Sequence, residues 1–299
     1  MYRLGLNTGF AVNRYSDPES WTRLVNKCGI DSVQFTADLL NPSLPQKIIN
    51  SQLTRIKKNC NDYNIDVTST FTGAFTRLNH LSHPDHQIRK YWVDWFKKFA
   101  QITVELESTT MGSHFGILTT ENYSDNTVFE KRKNQNIEHW HEIADYAKKI
   151  GIKEILWEPM SVGREYGETI EKCEILQNQL NKSSPLPFKI CLDVDHGDLS
   201  SKNKDDTNPY KWLEKFADIS PVIHLKQSSE NKSGHWPFTE EYNKNGKIIP
   251  KKIIDILISK KIKDVDLILE LSFKEREPWD SSIEKSLIDS VNYWKKDLK

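Results

Sequence analysis

Eight short apolar runs, each followed by a stretch with helical spacing, divide the chain from end to end. They are YRLGLN (2–7), DSVQFT (31–36), DVTSTF (66–71), STTMGS (108–113), KEILWE (153–158), FKICLD (188–193), VIHLKQ (222–227) and DLILEL (266–271). Between them, Ile88, Trp92, Trp95, Phe99 and Ile102 step by four and three, as do Ile137, Trp140, Ala144 and Ala147, and Ile283, Leu287, Val291 and Trp294. Such stripes predict amphipathic helices. Asp17-Pro18 and Pro45 are helix-start signals, and Gly29 and Gly151 sit where helices should stop. Eight strand–helix pairs are the count of a (β/α)8 barrel. A doubly wound sheet would show a glycine-rich phosphate loop after its first strand, and LGLNTGF has no GxGxxG. With 299 residues and no linker, low-complexity tract or internal repeat, the chain reads as a single TIM-barrel domain over 1–299. The polar segment 200–209 reads as a loop before the sixth helix.

Polar residues stand where those strands run out. Glu158, Asp193, His196, His224 and Glu270 each follow an apolar run. A carboxylate or imidazole at the end of a buried strand is costly unless paired. Four of them, Glu158, Asp193, His224 and Glu270, come from the fifth to eighth strands, which are consecutive around a barrel, and active sites in such barrels lie at the carboxyl ends of strands. One strand-end Glu alone is more often salt-bridged than ligating; four at matching ends point to a divalent cation. Three carboxylates and one imidazole make a hard site, suited to Mn²⁺ first, then Mg²⁺ or Co²⁺, with Zn²⁺ compatible.

These motifs resemble a known superfamily. LDVDH (192–196) carries an Asp with a His three positions on, the fifth strand ends in Glu158, the seventh carries His224 in HLK, and the eighth ends in Glu270. The pattern is similar to the xylose-isomerase-like barrels, which include ketose 3-epimerases, sugar-phosphate isomerases and endonuclease-IV-type enzymes. The resemblance covers essentially the whole chain. It implies that Glu158, Asp193, His224 and Glu270 ligate one divalent metal and that His196 contacts substrate. WEPMSVGREYGETI, LDVDHGD, HLKQS, GHWPF and LELSFKEREP further resemble a bacterial branch linked to erythritol breakdown, the tetrulose-phosphate 3-epimerases.

The implied chemistry inverts C3 of a small ketose phosphate through an enediolate. A metal on the C2 carbonyl oxygen supplies Lewis-acid stabilisation. Glu158 and Glu270 divide the proton transfers between opposite faces of the planar intermediate. A 1,2-aldose–ketose isomerase of a pentose or a branched sugar such as apiose would use the same site and return the proton to the neighbouring carbon. Arg164 and Arg276 each lie six residues past a catalytic Glu, and Lys226 shares a face with His224 by alternation. All three are expected to meet substrate, the arginines by clamping phosphate. The bland reading pairs Arg164 and Arg276 with Glu165, Glu275 or Glu277. His114, in GSHFG, is expected at the site, and Asn7 and Phe71 at the pocket floor and wall. Arg77 and His80 are weaker candidates for substrate contact. His80, His83 and His86 have metal-like spacing, but Pro84 interrupts any helix there and turn or capping roles suffice. Trp236 is either a lid or a packed loop aromatic.

Composition excludes other classes. With 42 basic and 42 acidic residues interleaved, the chain lacks the net basic face of a nucleic-acid-bound enzyme. An endonuclease IV type, with three zinc ions, would need an Asp two residues before His235, where Ser233 stands. A non-catalytic binding protein would not need both Glu158 and Glu270. Four scattered cysteines without ligand spacing, and no signal-like or membrane-length segment, imply reduced thiols and a cytoplasmic setting without membrane partners. Aromatics at Tyr91, Trp92, Trp95 and Phe96 exceed what one core stripe uses and point to a homodimer.

Overall fold

The computed structural model describes residues 2–230 and 232–298, without the side chains of Lys232 and Ser233. Eight parallel strands close on themselves: β1 (Tyr2–Asn7), β2 (Ser32–Thr36), β3 (Asp66–Phe71), β4 (Thr110–His114), β5 (Glu154–Glu158), β6 (Phe188–Asp193), β7 (Val222–Leu225) and β10 (Val265–Leu269). β10 pairs with both β7 and β1, which completes the (β/α)8 barrel. β8 (Gln227–Ser229) and β9 (Lys232–Trp236) form an antiparallel hairpin after β7. The run read as one strand over 222–227 therefore breaks at Lys226.

Two packed layers follow from the patterns. Leu287, Val291 and Trp294 of the last helix, Ile283–Lys295, are fully buried, as are Ala144 and Ala147 of Asn126–Ile150. Inside the barrel, Phe71, Leu156, Cys191, Val222 and Ile268 make a separate apolar plug. Gly112 lets that plug close, because a Cβ there would lie 2.4 Å from the Phe71 ring. Helix starts match their signals: Asp17 caps Pro18–Lys27 by accepting from Ser20 N at 3.0 Å, and Gln46–Tyr63 begins just after Pro45. Gly29 and Gly151 take positive φ of 67° and 111° past helix ends. The 200–209 segment contains a short 3-10 turn, Lys204–Thr207, before the helix Pro209–Phe216.

The aromatic excess in the helix His86–Glu105 is spent inside the chain. Trp95 and Phe96 are buried and Trp92 nearly so, and Phe96 packs on Trp140 at 4.7 Å. Only Tyr91 of that group is exposed, its hydroxyl 2.8 Å from Ser43 Oγ. Those aromatics pack within the chain, in part against the neighbouring helix Asn126–Ile150, so they give no ground for a dimer face. All four cysteines are buried and free. No helix of the described residues is long and apolar enough to cross a membrane.

Candidate metal centre and active site

Strand register delivers the polar cluster above the apolar plug. Asp193 on β6 is level with His224 on β7, and His114 on β4 is level with Glu158 on β5. Glu270 follows β10 directly, its N–H donating to Leu225 O at 2.9 Å. One ligand-type atom from each of Glu158, Asp193, His224 and Glu270 lies within 4.8 Å of the others. Asp193 and His224 are buried almost completely.

A buried network sets the imidazole. Gln34, inside β2, accepts from Asn7 Nδ2 at 2.7 Å and lies 2.7 Å from His224 Nε2. Its own amide donates to Ser69 Oγ at 3.2 Å. That arrangement draws the Nε2 proton toward Gln34 Oε1, with Cys191 Sγ a second, weaker neighbour at 3.2 Å. Nδ1 then faces Glu158 Oε1 at 3.0 Å and Glu270 Oε2 at 3.6 Å. A bare nitrogen lone pair against two carboxylates is repulsive unless a proton or a metal ion lies between. The donor set, three carboxylates and one imidazole nitrogen with its other nitrogen hydrogen-bonded, fits a hard divalent ion.

Lys226 supplies a second cation. Its ammonium is fully buried, paired with Asp193 and 3.2 Å from Glu270 Oε2 and from both ring nitrogens of His235. Burial disfavours the charged amine, but Asp193 and then Glu270 outweigh it and hold its pKa above the ordinary value. Burial likewise works to raise Glu270, yet Lys226, His224 and His235 keep its carboxyl well below its usual range. For His224, burial opposes protonation while Cys191 and the two glutamates favour it, and the balance is well above the ordinary value.

Above this floor opens a cavity of about 470 Å³, lined by Glu158, His196, Glu270 and residues from the surrounding loops. His196 Nδ1 lies 2.9 Å from Pro159 O, and its Nε2 is 3.7 Å from Asp193 Oδ2. Its turn depends on Gly197, at φ 143°, where a Cβ would strike Asp206 O at 1.8 Å. Asn7, Phe71, His114 and Arg164 also line the cavity. Asn7 is largely consumed internally, since its Oδ1 accepts from Gly9 N at 2.7 Å while its amide serves Gln34.

Two expected substrate contacts need correction. Lys226 shares the inward face of His224, as alternation predicts, but it is committed to the carboxylates below and does not line the cavity. Arg276 is exposed and outside the lining. Arg14 explains this: it donates to Phe273 O at 2.8 Å and pairs with Asp280 at 2.5 Å, drawing the loop after β10 toward itself and leaving Arg276 in solvent. His80 is likewise a core group, among Trp92, Phe96 and His114. Trp236 stacks on Tyr242 at 5.1 Å and is no lid over the cavity.

Other residues escaped the sequence reading. His235 lines the cavity, 3.3 Å from Glu270 Oε2, placed by the hairpin through Ser272 N donating to His235 O. The sequence marks it only as an endonuclease-type ligand. Gln34 had a legible signal, a large amide in the middle of an apolar strand. Asp38, at the cavity wall, had none, whereas Glu165 pairs with Arg164 at 3.2 Å as the bland reading of that arginine expects. Among the described residues, the four-residue cluster is the one group of three or more His, Cys, Asp or Glu arranged to hold a metal. His114 is bonded instead to Leu78 O at 3.0 Å, which does not build a three-metal site.

Comparison with known proteins agrees with this geometry. Residues 22–296 match the xylose isomerase-like TIM barrel family. The chain belongs to that family. It is 38% identical over 293 residues, 97% of this chain and 94% of the relative, to the D-erythrulose 1-phosphate 3-epimerase of Brucella abortus (strain 2308). Among solved structures, a putative xylose isomerase from Rhodospirillum rubrum ATCC 11170 superposes with TM-score 0.90 at 22% identity, covering 99% of both chains. A D-psicose 3-epimerase crystallised with D-fructose superposes with TM-score 0.69 at 15% identity, covering 98% of this chain and 97% of its own. At those identities the structural likenesses carry the fold, and the xylose isomerase-like barrel is that fold.

The site also sets a pH response. Burial pushes the His114 pKa down to about 3, from an ordinary 6.5, and pushes His80 well below the same value. A depressed histidine contributes stability that is full above the unfolded pKa and lost as pH falls, because the unfolded chain takes up the proton first. For His114 this amounts to about 2 kcal/mol at pH 5, with His80 adding in the same direction. The raised His224 works in the opposite direction, so the comparison is with a variant: between pH 7.5 and pH 5 the parent should lose about 2 kcal/mol more in urea unfolding than a protein without His114. Replacing His114 by Asn, which retains a donor for Leu78 O, supplies that variant. Equal slopes in both proteins would refute a buried neutral His114.

Proposed function

We propose that this protein is a divalent-metal-dependent 3-epimerase of a small ketose phosphate, with D-erythrulose 1-phosphate as the substrate to try first. The observation that carries it is the pairing of Glu158, at the end of β5, with Glu270, just after β10, whose carboxylates both approach His224 Nδ1, at 3.0 and 3.6 Å. The substrate is taken from the near-full-length relative. A two-carboxylate site suits inversion, since one group removes the C3 proton and the other returns one from the far face. Glu158, Asp193, His224 and Glu270 would hold the ion, Mn²⁺ for preference, which when bound supplies Lewis-acid polarisation of the carbonyl and adjacent hydroxyl.

The chain's own residues divide the remaining work. Lys226 holds Asp193 and Glu270 in their ionised forms inside the barrel, so both stay available as ligand and base. His235 contacts Glu270 from the cavity side, where it can pass a proton to or from that carboxylate. His196, with Nδ1 used on Pro159 O, keeps Nε2 for a substrate oxygen. The apolar plug below Glu158 and the near-complete burial of His224 keep bulk water away from the floor.

Incubation of Mn²⁺-loaded protein with D-erythrulose 1-phosphate in D₂O tests the reading. Deuterium should enter C3, together with formation of the C3 epimer. Label at C1 alone would assign the chain to 1,2-isomerisation, and no exchange on any ketose phosphate would remove the epimerase proposal.

A further inference from the structure

Arg77, in the loop after β3, and Arg164, in the loop after β5, meet on one carboxylate. Arg77 pairs with Glu165 Oε2, and Arg164 Nη2 lies 3.2 Å from Glu165 Oε1. The Glu165 side chain is only 4% exposed, whereas the two arginine side chains are 42% and 43% exposed, and all three residues line the cavity. The platform is firmly built. Glu165 N donates to Val162 O and Leu118 N to Arg164 O, both at 2.8 Å, while Asn79 Nδ2 secures the Arg77 side through Ile117 O at 2.7 Å.

One carboxylate cannot neutralise two guanidinium groups, so the wall carries a net positive charge. Each arginine spends part of its fork on Glu165 and keeps further N–H donors at the half-exposed end. The other acidic groups lining the cavity do not cancel that charge locally. Asp38 spends its oxygens on Phe75 N at 2.9 Å and Thr76 Oγ1 at 2.8 Å rather than on either guanidinium. Glu158 and Glu270 lie on the floor around His224. The cavity is thus divided, with carboxylates and imidazole below and paired guanidinium groups on the wall. That division matches a molecule with sugar oxygens at one end and a dianion at the other.

We propose that Arg77 and Arg164, held side by side on Glu165, form the phosphate-binding subsite of this enzyme. The identity of the phosphate's carrier rests on the epimerase reading; the anion grip does not. Glu165 acts as a positioning residue, since it fixes the spacing of the two forks. The alternative is a simple staple between two loops, which would matter for stability and not for phosphate.

The test uses the full chain loaded with Mn²⁺, with inorganic phosphate as probe in calorimetry and D-erythrulose 1-phosphate as substrate. Arg77→Gln and Arg164→Gln should each weaken phosphate binding by about tenfold or more and raise KM to a similar extent, with a much smaller fall in kcat. Arg276→Gln, which removes an exposed cation outside the cavity, should change neither quantity. If the glutamine variants loosen the loops, Arg77→Lys and Arg164→Lys retain a cation on Glu165 and lose only the fork, so a smaller weakening is expected. Phosphate affinity and KM unchanged in every Arg77 and Arg164 variant, or changed equally by Arg276→Gln, would overturn the subsite while leaving the epimerase reading standing. Phosphate binding that depends on both arginines, in a protein inert toward D-erythrulose 1-phosphate, would support the subsite and sink that reading.

Discussion

Changing Glu270 to Gln should lower kcat by about 10²–10⁴-fold, the range for a positioned acid–base group, and Glu158→Gln should do the same. Glutamine retains an oxygen that can face a cation and is nearly the same shape, so packing against the Phe71–Leu156 plug survives. What it loses is the proton-accepting oxygen. The two variants should differ in one respect. Glu270 is held ionised by Lys226, with His224 and His235 beside it, so its loss leaves a buried ammonium with Asp193 as its one paired carboxylate. Glu158 is 3.0 Å from His224 Nδ1 and acts on Lys226 only after Asp193 and Glu270, so its replacement perturbs mainly the imidazole. Glu270→Gln should therefore also lower the unfolding midpoint more than Glu158→Gln. Solvent exchange at C3 measured separately from net epimerisation distinguishes the two roles. A variant blocked at the first proton transfer loses both, and one blocked only at the return keeps exchange without inversion. Normal turnover by Glu270→Gln with metal bound would exclude the two-carboxylate mechanism.

The barrel and its floor were legible because both depend on strong local signals. Every barrel strand falls on or beside a run read from sequence, since parallel strands covered by helices must be continuously apolar. The polar residue ending such a run stands out for the same reason. Boundaries were less clear where polar chemistry competes with the strand. The fourth strand begins at Thr110, not 108, because Ser108 Oγ turns back to Thr68 O at 3.0 Å. Alternation carried the seventh run through Gln227, whereas the chain breaks at Lys226 to start the hairpin that delivers His235. Loop cations were illegible in a different way. Arg164 and Arg276 have the same offset from a strand-end Glu, yet one lines the cavity and the other faces solvent. What separates them is Glu165 in one case and Arg14 in the other, and the latter lies more than 250 residues away in sequence. Arg77 meets its partner across 88 residues. No local period encodes such contacts.

Stripping the divalent ion should abolish turnover without unfolding the chain. The activity loss should reach about 10³-fold, since Lewis-acid stabilisation contributes several kcal/mol and each factor of ten corresponds to about 1.4 kcal/mol. The fold should persist because Lys226 and a protonated His224 already stand among the three carboxylates, leaving the metal-free cluster with one uncompensated negative charge rather than three. Lys226→Met exposes this dependence. Removing one partner of a buried ion pair costs about 3–5 kcal/mol, so the stripped variant should unfold at a markedly lower temperature than the stripped parent. A divalent ion added back should restore much of that difference, because it binds only the folded arrangement and supplies the missing charge. Thermal unfolding of both proteins, with chelator and with Mn²⁺, makes the comparison. A stripped parent that retained full activity would remove the metal from the reaction, and a Lys226→Met protein equally stable with and without Mn²⁺ would show that the four-residue cluster does not bind it.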